Sequence, residues 1–255
     1  MKLMTFNLRC NNDPNGHSIA ERGFRIRDII RDYQPDLCGF QEVVPAWLPE
    51  LEVLEEYDHV LDWRGERDFE ATPIYWKKSV FELVDHQKFW LSPTPEYRSK
   101  GWGGGFGIPR VCTYVALKHL ESGRVVHYYN THFDGSDVSA RESAQLIIRR
   151  QEKIDRDGIT FCTADFNMYP DTPGWYSMRT FFKDVREEIA PENKQGTLNI
   201  YKEVGEDLGR LIDFIFYHGK GVQAKTYEVI TRLYDGKFPS DHYGIISEFE
   251  LEKQE

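Results

Sequence analysis

The chain has 255 residues, of which 40% are hydrophobic and 14% aromatic, so it is long enough to bury a sizeable core. Its net charge of −10 argues against loose, non-specific binding to nucleic acid, which depends on Lys and Arg neutralising phosphates. No apolar run reaches about 18 residues and the chain starts with no apolar signal region, so we expect no membrane span and a cytoplasmic location.

The four cysteines, Cys10, Cys38, Cys112 and Cys162, lie far apart in the sequence. They show no Cys-x-x-Cys or Cys–His spacing, so the sequence indicates neither a disulfide framework nor a zinc site. We expect all four to be reduced and structural.

Strands predominate in the first half of the chain. Residues 2–8 predict a strand, and a helix follows in which Ile26, Ile29, Ile30 and Tyr33 form one apolar stripe before Pro35 ends it. A second strand is expected at residues 36–41 and a short helix at residues 45–56. Four more strands are predicted at residues 73–76, 80–90, 111–118 and 125–131.

The second half predicts one long helix and further strands. The helix covers residues 139–156, and its inward face comprises Ala140, Ala144, Ile147, Ile148 and Ile154. Strands are expected from residue 160, and again at residues 211–217, 222–230 and 243–251. Because the chain has no low-complexity linker and no break in composition, we expect residues 1–255 to form a single domain.

Residues 160–167 predict a buried strand that ends in two polar side chains. Asp165 and Asn167 lie two positions apart, so in extended geometry they face the same side. Such a pair is also typical of a turn or a helix cap. Open α/β folds, however, place their sites at the carboxyl ends of strands.

Polar residues end many of the other predicted strands. They are Asn7, Glu42, His132 with Asp134, Asp213, and Asp241 with His242. Each of them alone has an ordinary explanation as a cap or turn, but together they form a chemically coherent set. Carboxylates and amides without thiolates suit a hard cation such as Mg²⁺ or Mn²⁺. With two histidines, the set favours hydrolysis of a phosphoester.

These residues give the chain its resemblance to the endonuclease/exonuclease/phosphatase superfamily. The motifs occur in the family's order over residues 5–242: Thr5-Phe6-Asn7, Gln41-Glu42, Thr131-His132-Phe133-Asp134, Ala164-Asp165-Phe166-Asn167, Arg210-Leu211-Ile212-Asp213 and Ser240-Asp241-His242. The resemblance implies a four-layered α/β sandwich, in which two mostly antiparallel sheets pack face to face with helices outside.

The resemblance also implies where a metal ion would bind. Glu42, assisted by Asn7, would hold the divalent ion, and Asp241 would contribute to a second position. The ion is expected to be Mg²⁺ or Mn²⁺.

The same resemblance assigns catalytic roles to five residues. Asp165 would orient or deprotonate the attacking water, and Asn167 would bind a phosphoryl oxygen. His242, held by Asp213, would act on the phosphate or as a general base. His132 would likewise be held by an acid upstream in the sequence.

Two further residues are expected on the substrate side of the site. Glu70 fits the position of the acid that holds His132, although Glu66 and Asp68 compete for it. Arg110 resembles a phosphate-contacting arginine of several family branches, but it also reads as a surface cation beside a proline turn. The aromatic loop around Trp102 and Phe106 could form a pocket wall for stacking a base or sugar ring, or Trp102 could simply pack in the core.

One departure from the family bears on the substrate. Pancreatic deoxyribonuclease has an arginine two positions after its Gln-Glu pair, which enters the DNA groove, and here that position is Val44. Together with the acidic net charge, this favours a small or lipid- or nucleotide-derived phosphoester over duplex DNA. A nuclease acting on DNA or RNA is the alternative. A scaffold that has lost catalysis ranks lower, since no member of the polar set is missing. The oligomeric state cannot be read from the sequence.

Overall fold

The computed structural model of the protein describes residues 1–65 and 70–253, and the chain forms thirteen strands and five α-helices within them. The strands are β1 (Lys2–Asn7), β2 (Leu37–Gln41), β3 (Tyr57–Val60), β4 (Ile74–Lys77), β5 (Phe81–Trp90), β6 (Val111–His119), β7 (Val125–His132), β8 (Ile159–Asp165), β9 (Lys183–Asp184), β10 (Asp213–His218), β11 (Val222–Ala224), β12 (Glu228–Ile230) and β13 (Gly244–Leu251). The helices are α1 (Ile19–Tyr33), α2 (Leu48–Leu51), α3 (Asp137–Asp155), α4 (Pro173–Met178) and α5 (Val185–Ile189).

The strands form two sheets. The first has the order β11-β13-β1-β2-β4-β3, with β12 also paired to β13, and the second has the order β5-β6-β7-β8-β10-β9. Only the pairs β1/β2 and β7/β8 are parallel among the described strands; every other pairing is antiparallel. The predicted pair of mostly antiparallel sheets is therefore confirmed.

Apolar side chains of both sheets meet in an inner core, as the four-layered sandwich requires. This core includes Leu3, Leu37 and Ile74 from the first sheet and Val115, Phe161 and Ile215 from the second. Helix α1 covers the outer face of the first sheet, and α3 and α4 cover that of the second. None of the helices in the described residues has the length and apolar character needed to cross a membrane.

Local signals explain where the two long helices begin and end. Ser18 and Glu21 form a capping box at the start of α1, and Gln34 ends the helix in a left-handed conformation directly before Pro35. Ser136 caps α3 by accepting the backbone N–H of Ser139. Both helices connect parallel strands, so the carboxyl ends of those strands lie at one edge of the sandwich.

A buried asparagine ties the two sheets together just below that edge. Asn130 of β7 donates through Nδ2 to the backbone oxygens of Phe40 and Pro73, at 2.8 Å each. Its Oδ1 accepts from Gln41 Nε2 at 2.7 Å and from Thr163 Oγ1 at 3.1 Å. The amide is thus fully hydrogen-bonded in a region without solvent, which fixes the two sheets relative to each other.

Gly39 makes this close approach possible. A Cβ at this position would lie 2.3 Å from the hydroxyl of Tyr128 and 2.5 Å from Asn130 Oδ1, closer than atoms can pack. Glycine is therefore the residue that lets the polar network sit between the sheets.

Several element predictions were wrong in detail. Strand β3 was not predicted. The predicted strand 222–230 is divided into β11 and β12. Between them, the side-chain Oγ1 of Thr226 accepts the backbone N–H of Glu248, which interrupts the backbone hydrogen bonding to β13. Ile154 was placed on the inward face of α3 but is 40% exposed, near the end of the helix. The helix expected at 45–56 is a 3₁₀ turn at Pro45–Trp47 followed by the short α2.

We expect Asn130→Ala to lower the free energy of unfolding by about 2–4 kcal/mol, because two buried backbone carbonyls lose their donor. Urea denaturation followed by fluorescence measures this loss. Gln223→Ala is the matched control, since this amide lies on the exposed edge of β11. Equal stability of the two variants would contradict the role given to Asn130.

Candidate active site

The predicted site residues converge on one cleft at the carboxyl ends of the parallel strands. Eight of the ten line a cavity of about 310 Å³: Glu42, Glu70, Arg110, His132, Asp165, Asn167, Asp241 and His242. The other two, Asn7 and Asp213, are buried directly behind it and hydrogen-bond to lining residues. A larger cavity of about 690 Å³ near Met1 and Glu250 contains none of the ten.

Asn7 joins the halves of the site that the two sheets contribute. It ends β1, and its Nδ2 donates to Glu42 Oε1 at 3.1 Å and to Asp165 Oδ2 at 2.9 Å. Its Oδ1 accepts the backbone N–H of Arg9 at 2.9 Å. Asn7 therefore positions one carboxylate from each sheet.

Glu42 follows β2 in a left-handed backbone conformation, with φ of 58°. This turn directs its carboxylate back over the strand ends, where Oε2 accepts the N–H of Cys10 at 2.8 Å. Burial raises the pKa of the Glu42 carboxyl, but the neighbouring His132, the Cys10 hydrogen bonds and the charge of His242 lower it below its usual value. Because burial and Arg110 keep His132 neutral, Cys10 and His242 are the partners that keep this carboxylate ionised.

Asp165 and Asn167 lie together in the cleft, but not by the predicted extended geometry. Strand β8 ends at Asp165, and Asn167 has a φ of 44°. Asp165 Oδ1 accepts the N–H of Asn167 at 2.9 Å, so the carboxylate itself caps the turn. Burial and the charge of Asp213 raise the pKa of Asp165 to about 7.

His242 and Asp213 form a buried pair. The ring Nδ1 lies 2.8 Å from Asp213 Oδ2, and this contact directs Nε2 towards Asp165, 3.7 Å from its Oδ2. Burial disfavours the charged ring, but the charge and hydrogen bond of Asp213 prevail and raise the pKa of His242 to about 10. His242 is therefore an imidazolium at neutral pH.

His132 ends β7 on the other side of Asp165. Its Nε2 accepts from Asn167 Nδ2 at 2.9 Å and lies 3.4 Å from Asp165 Oδ2. Burial and the nearby charge of Arg110 lower the pKa of His132 well below its usual value. The two histidines of the site thus have opposite protonation states.

Glu70 lies near His132 without a hydrogen bond to it, since His132 Nδ1 and Glu70 Oε2 are 3.8 Å apart. Its carboxylate instead binds Arg64 Nη2 at 2.7 Å, and Arg110 Nη1 lies 3.9 Å away. Arg110 is buried in the cleft, so it is not the surface cation that the sequence also allowed. The competing acids Glu66 and Asp68 lie outside the described residues.

Asp134 positions the aromatic loop at the rim of the cleft. Its carboxylate accepts the N–H of Phe106 at 2.8 Å and of Gly107 at 3.4 Å. The ring of Phe106 is 62% exposed, with the Arg110 guanidinium 5.8 Å from its centre. Trp102 instead packs against the core outside the second sheet, so only Phe106 forms the predicted aromatic wall.

Sequence reasoning missed three cleft residues with titratable side chains: Arg9, Cys10 and Arg64. Arg9 Nε lies 3.4 Å from Asp241 Oδ2, and Arg64 binds Glu70 as described. Arg9 and Cys10 lie two and three residues after Asn7, and this proximity to the motif was their only signal in the sequence. Arg64 had none, because it reaches the cleft from an irregular loop.

The donor groups present fit a hard divalent cation. Glu42, His132 and Asp165 each bring one ligand atom within 4.8 Å of the others, and so do Asp165, Asp213 and His242. In the second group the His242 Nδ1 and an Asp213 oxygen already bind each other. The first group includes the Glu42 carboxylate, whose pKa is lowered, and a carboxylate is the kind of oxygen ligand that Mg²⁺ and Mn²⁺ prefer.

The chain matches the model of the Endonuclease/Exonuclease/phosphatase family over residues 4–242, and it belongs to that family. Members of this family hydrolyse phosphoester bonds and generally depend on divalent metal. No curated protein matches the sequence significantly.

Several solved structures from Bacteroides are similar to this chain. A mannosyl-6-phosphatase of Bacteroides thetaiotaomicron is 25% identical, with a TM-score of 0.88 over 98% of this chain and 100% of its own. A family protein of Bacteroides vulgatus is 28% identical, with a TM-score of 0.89 over 98% of each chain. Another from Bacteroides thetaiotaomicron is 25% identical, with a TM-score of 0.89 over 99% of this chain and 98% of its own.

Proposed function

We propose that this chain is a Mg²⁺- or Mn²⁺-dependent phosphoesterase that hydrolyses a small phosphoester. The convergence of the predicted polar residues on one cleft carries this proposal. Glu42, positioned by Asn7, would hold the ion, and Asp241 lines the same cleft. When bound, the ion supplies positive charge that neutralises phosphoryl oxygens.

Asp165 is the group proposed to orient and deprotonate water. Two amide groups fix its carboxylate, the side chain of Asn7 and the backbone of Asn167, so it needs no reorganisation during the reaction. A pKa near 7 for Asp165 matches a base that works at neutral pH.

His242 acts in this scheme as a cation on the phosphate rather than as the general base, because Asp213 keeps it protonated. Asn167 would bind a phosphoryl oxygen. Both of its amide hydrogens are engaged, one by His132 and one by the backbone oxygen of Phe133. A phosphoryl oxygen would accept the Asn167 N–H that is now donated to His132. The His132 ring would then be free to contact the substrate beside Arg110.

The small size of the proposed substrate rests on three observations. The cleft measures about 310 Å³, which suits a compact ligand. Val44 packs against the core of the first sheet instead of presenting an arginine to a DNA groove. A relative of similar length, 25% identical, is a mannosyl-6-phosphatase, so we propose sugar phosphates as the first class of substrate.

Asp165→Asn and His242→Ala should each lower kcat by about 10²–10⁴-fold while leaving the fold intact, since both groups are proposed to act in the transition state. Steady-state kinetics with circular dichroism measures both properties. Asp58→Asn and His59→Ala, at two exposed positions of β3, are the matched controls and should keep near-full activity. Near-full activity of either site variant would refute the role of that residue.

Removal of divalent metal should abolish activity, and Mg²⁺ or Mn²⁺ should restore it. Glu42→Gln should raise the Mg²⁺ concentration for half-maximal activity by at least about tenfold, since a charged oxygen ligand is lost. Glu82→Gln, an exposed acid on β5, serves as the control in the same titration. Full activity in excess EDTA would exclude the metal mechanism.

The substrate class is tested with one metal-supplemented panel. Sugar phosphates, nucleotides and lipid-headgroup esters are compared with supercoiled plasmid and single-stranded oligonucleotides, and His242→Ala supplies the background. We expect turnover of a small ester at least about tenfold above that of nucleic acid. Efficient plasmid nicking at low enzyme concentration would establish the nuclease alternative instead.

A further inference from the structure

Asp241, the residue that the family resemblance implies for a second metal ion, already has a positive charge beside it, supplied by the protein. Arg9 lines the same cleft as Glu42, and its Nε lies 3.4 Å from Asp241 Oδ2. The same Nε is 3.1 Å from Asp13 Oδ2, and its Nη2 is 3.5 Å from Asp13 Oδ1. The guanidinium therefore bridges two carboxylates, of which Asp241 is the one expected to serve a metal.

The backbone holds Arg9 firmly in this position. Its N–H donates to Asn7 Oδ1 at 2.9 Å, and its carbonyl accepts from Trp47 Nε1 at 2.9 Å and from both terminal nitrogens of Arg22 at 3.2 Å. It has a φ of 64°, which a non-glycine residue adopts only when its surroundings impose it. The placement of this side chain is thus built into the fold.

One loop fixes both partners of the guanidinium. Tyr201 donates its hydroxyl to Asp13 Oδ2 at 2.9 Å. The neighbouring N–H groups of Asn199 and Ile200 donate to the backbone oxygen of Asp241, at 2.8 and 2.9 Å. Ile200 and Tyr201 have positive φ values of 51° and 56°, so this segment also holds an imposed conformation. Asp13 and Asp241 are thereby both positioned for Arg9.

We infer that Arg9 permanently fills the second cation position beside Asp241, so that the site takes a single divalent ion, at Glu42. This inference rests on the proposed metal-dependent function. A guanidinium keeps its charge at every accessible pH, and it repels a divalent ion placed against the carboxylate that it neutralises. Asp241 would then act through Arg9 as a positioning residue rather than as a metal ligand.

The test is the number of Mn²⁺ ions bound by the metal-stripped protein, measured by calorimetry and by electron paramagnetic resonance of the bound Mn²⁺. We expect one ion in the wild type and two in Arg9→Gln, which keeps the size and polarity of the side chain but removes its charge. Arg64→Gln is the matched control. It removes one positive charge from the same cleft without touching Asp241, and should leave the count at one.

The outcomes separate this inference from the proposed function. Two ions in the wild type, with the spin coupling of a close Mn²⁺ pair, would overturn the inference and leave the metal mechanism standing. A count of one in both the wild type and a folded Arg9→Gln variant would also overturn it, as would a second ion gained equally in Arg64→Gln. No bound ion in the wild type would overturn the proposed function itself. The wild-type count does not depend on any variant folding.

Discussion

The geometry of the site depends on the buried Asn130 amide that spans the two sheets. Its hydrogen bonds to the carbonyls of Phe40 and Pro73 cross the inner core, where neither partner could find water instead. Glu42 follows Phe40 by two residues, and His132 follows Asn130 by two. These hydrogen bonds, together with the bond from Asn7 to Asp165, therefore set the distance between the half of the site on the first sheet and the half on the second. Large shifts of either half would break bonds that the protein interior cannot replace.

Within this frame, Asp165 lies between two imidazoles that differ in charge. Burial and Arg110 lower the pKa of His132, whereas Asp213 overcomes burial and raises the pKa of His242. The difference follows from the partners alone, because both rings are buried to a similar degree. An anion entering the cleft meets a cation on one side of Asp165 and a neutral ring on the other. Such unequal environments for like groups are typical of sites that divide acid and base roles.

The sequence predicted the fold and most of the residues that line the candidate cleft, because polar residues at the ends of predicted strands visibly interrupt apolar runs. Asn7 and Asp165 stand out in this way. Side chains that act from irregular loops carry no such signal, so Arg64 went unnoticed. Asn130 was equally invisible, since a single amide inside a strand reveals neither its burial nor the carbonyls it binds. Tertiary contacts also decide where Ile154 points, because the helix reaches solvent before its periodic pattern ends.

Strand β13 lies between β1 and the edge strands of the first sheet, although some 240 residues of chain separate it from β1. The pairing of Lys2 with Glu248 and of Thr5 with Ile245 closes a loop that contains nearly every other element. Such long-range pairing forms late, because the entropy of closing the loop is lost before its contacts form. His242 lies two residues before β13, and its Nδ1 is 2.8 Å from Asp213 Oδ2. The candidate site is therefore incomplete in a ribosome-bound chain from which β13 has not yet emerged, and the inner core of that chain stays open beside β1.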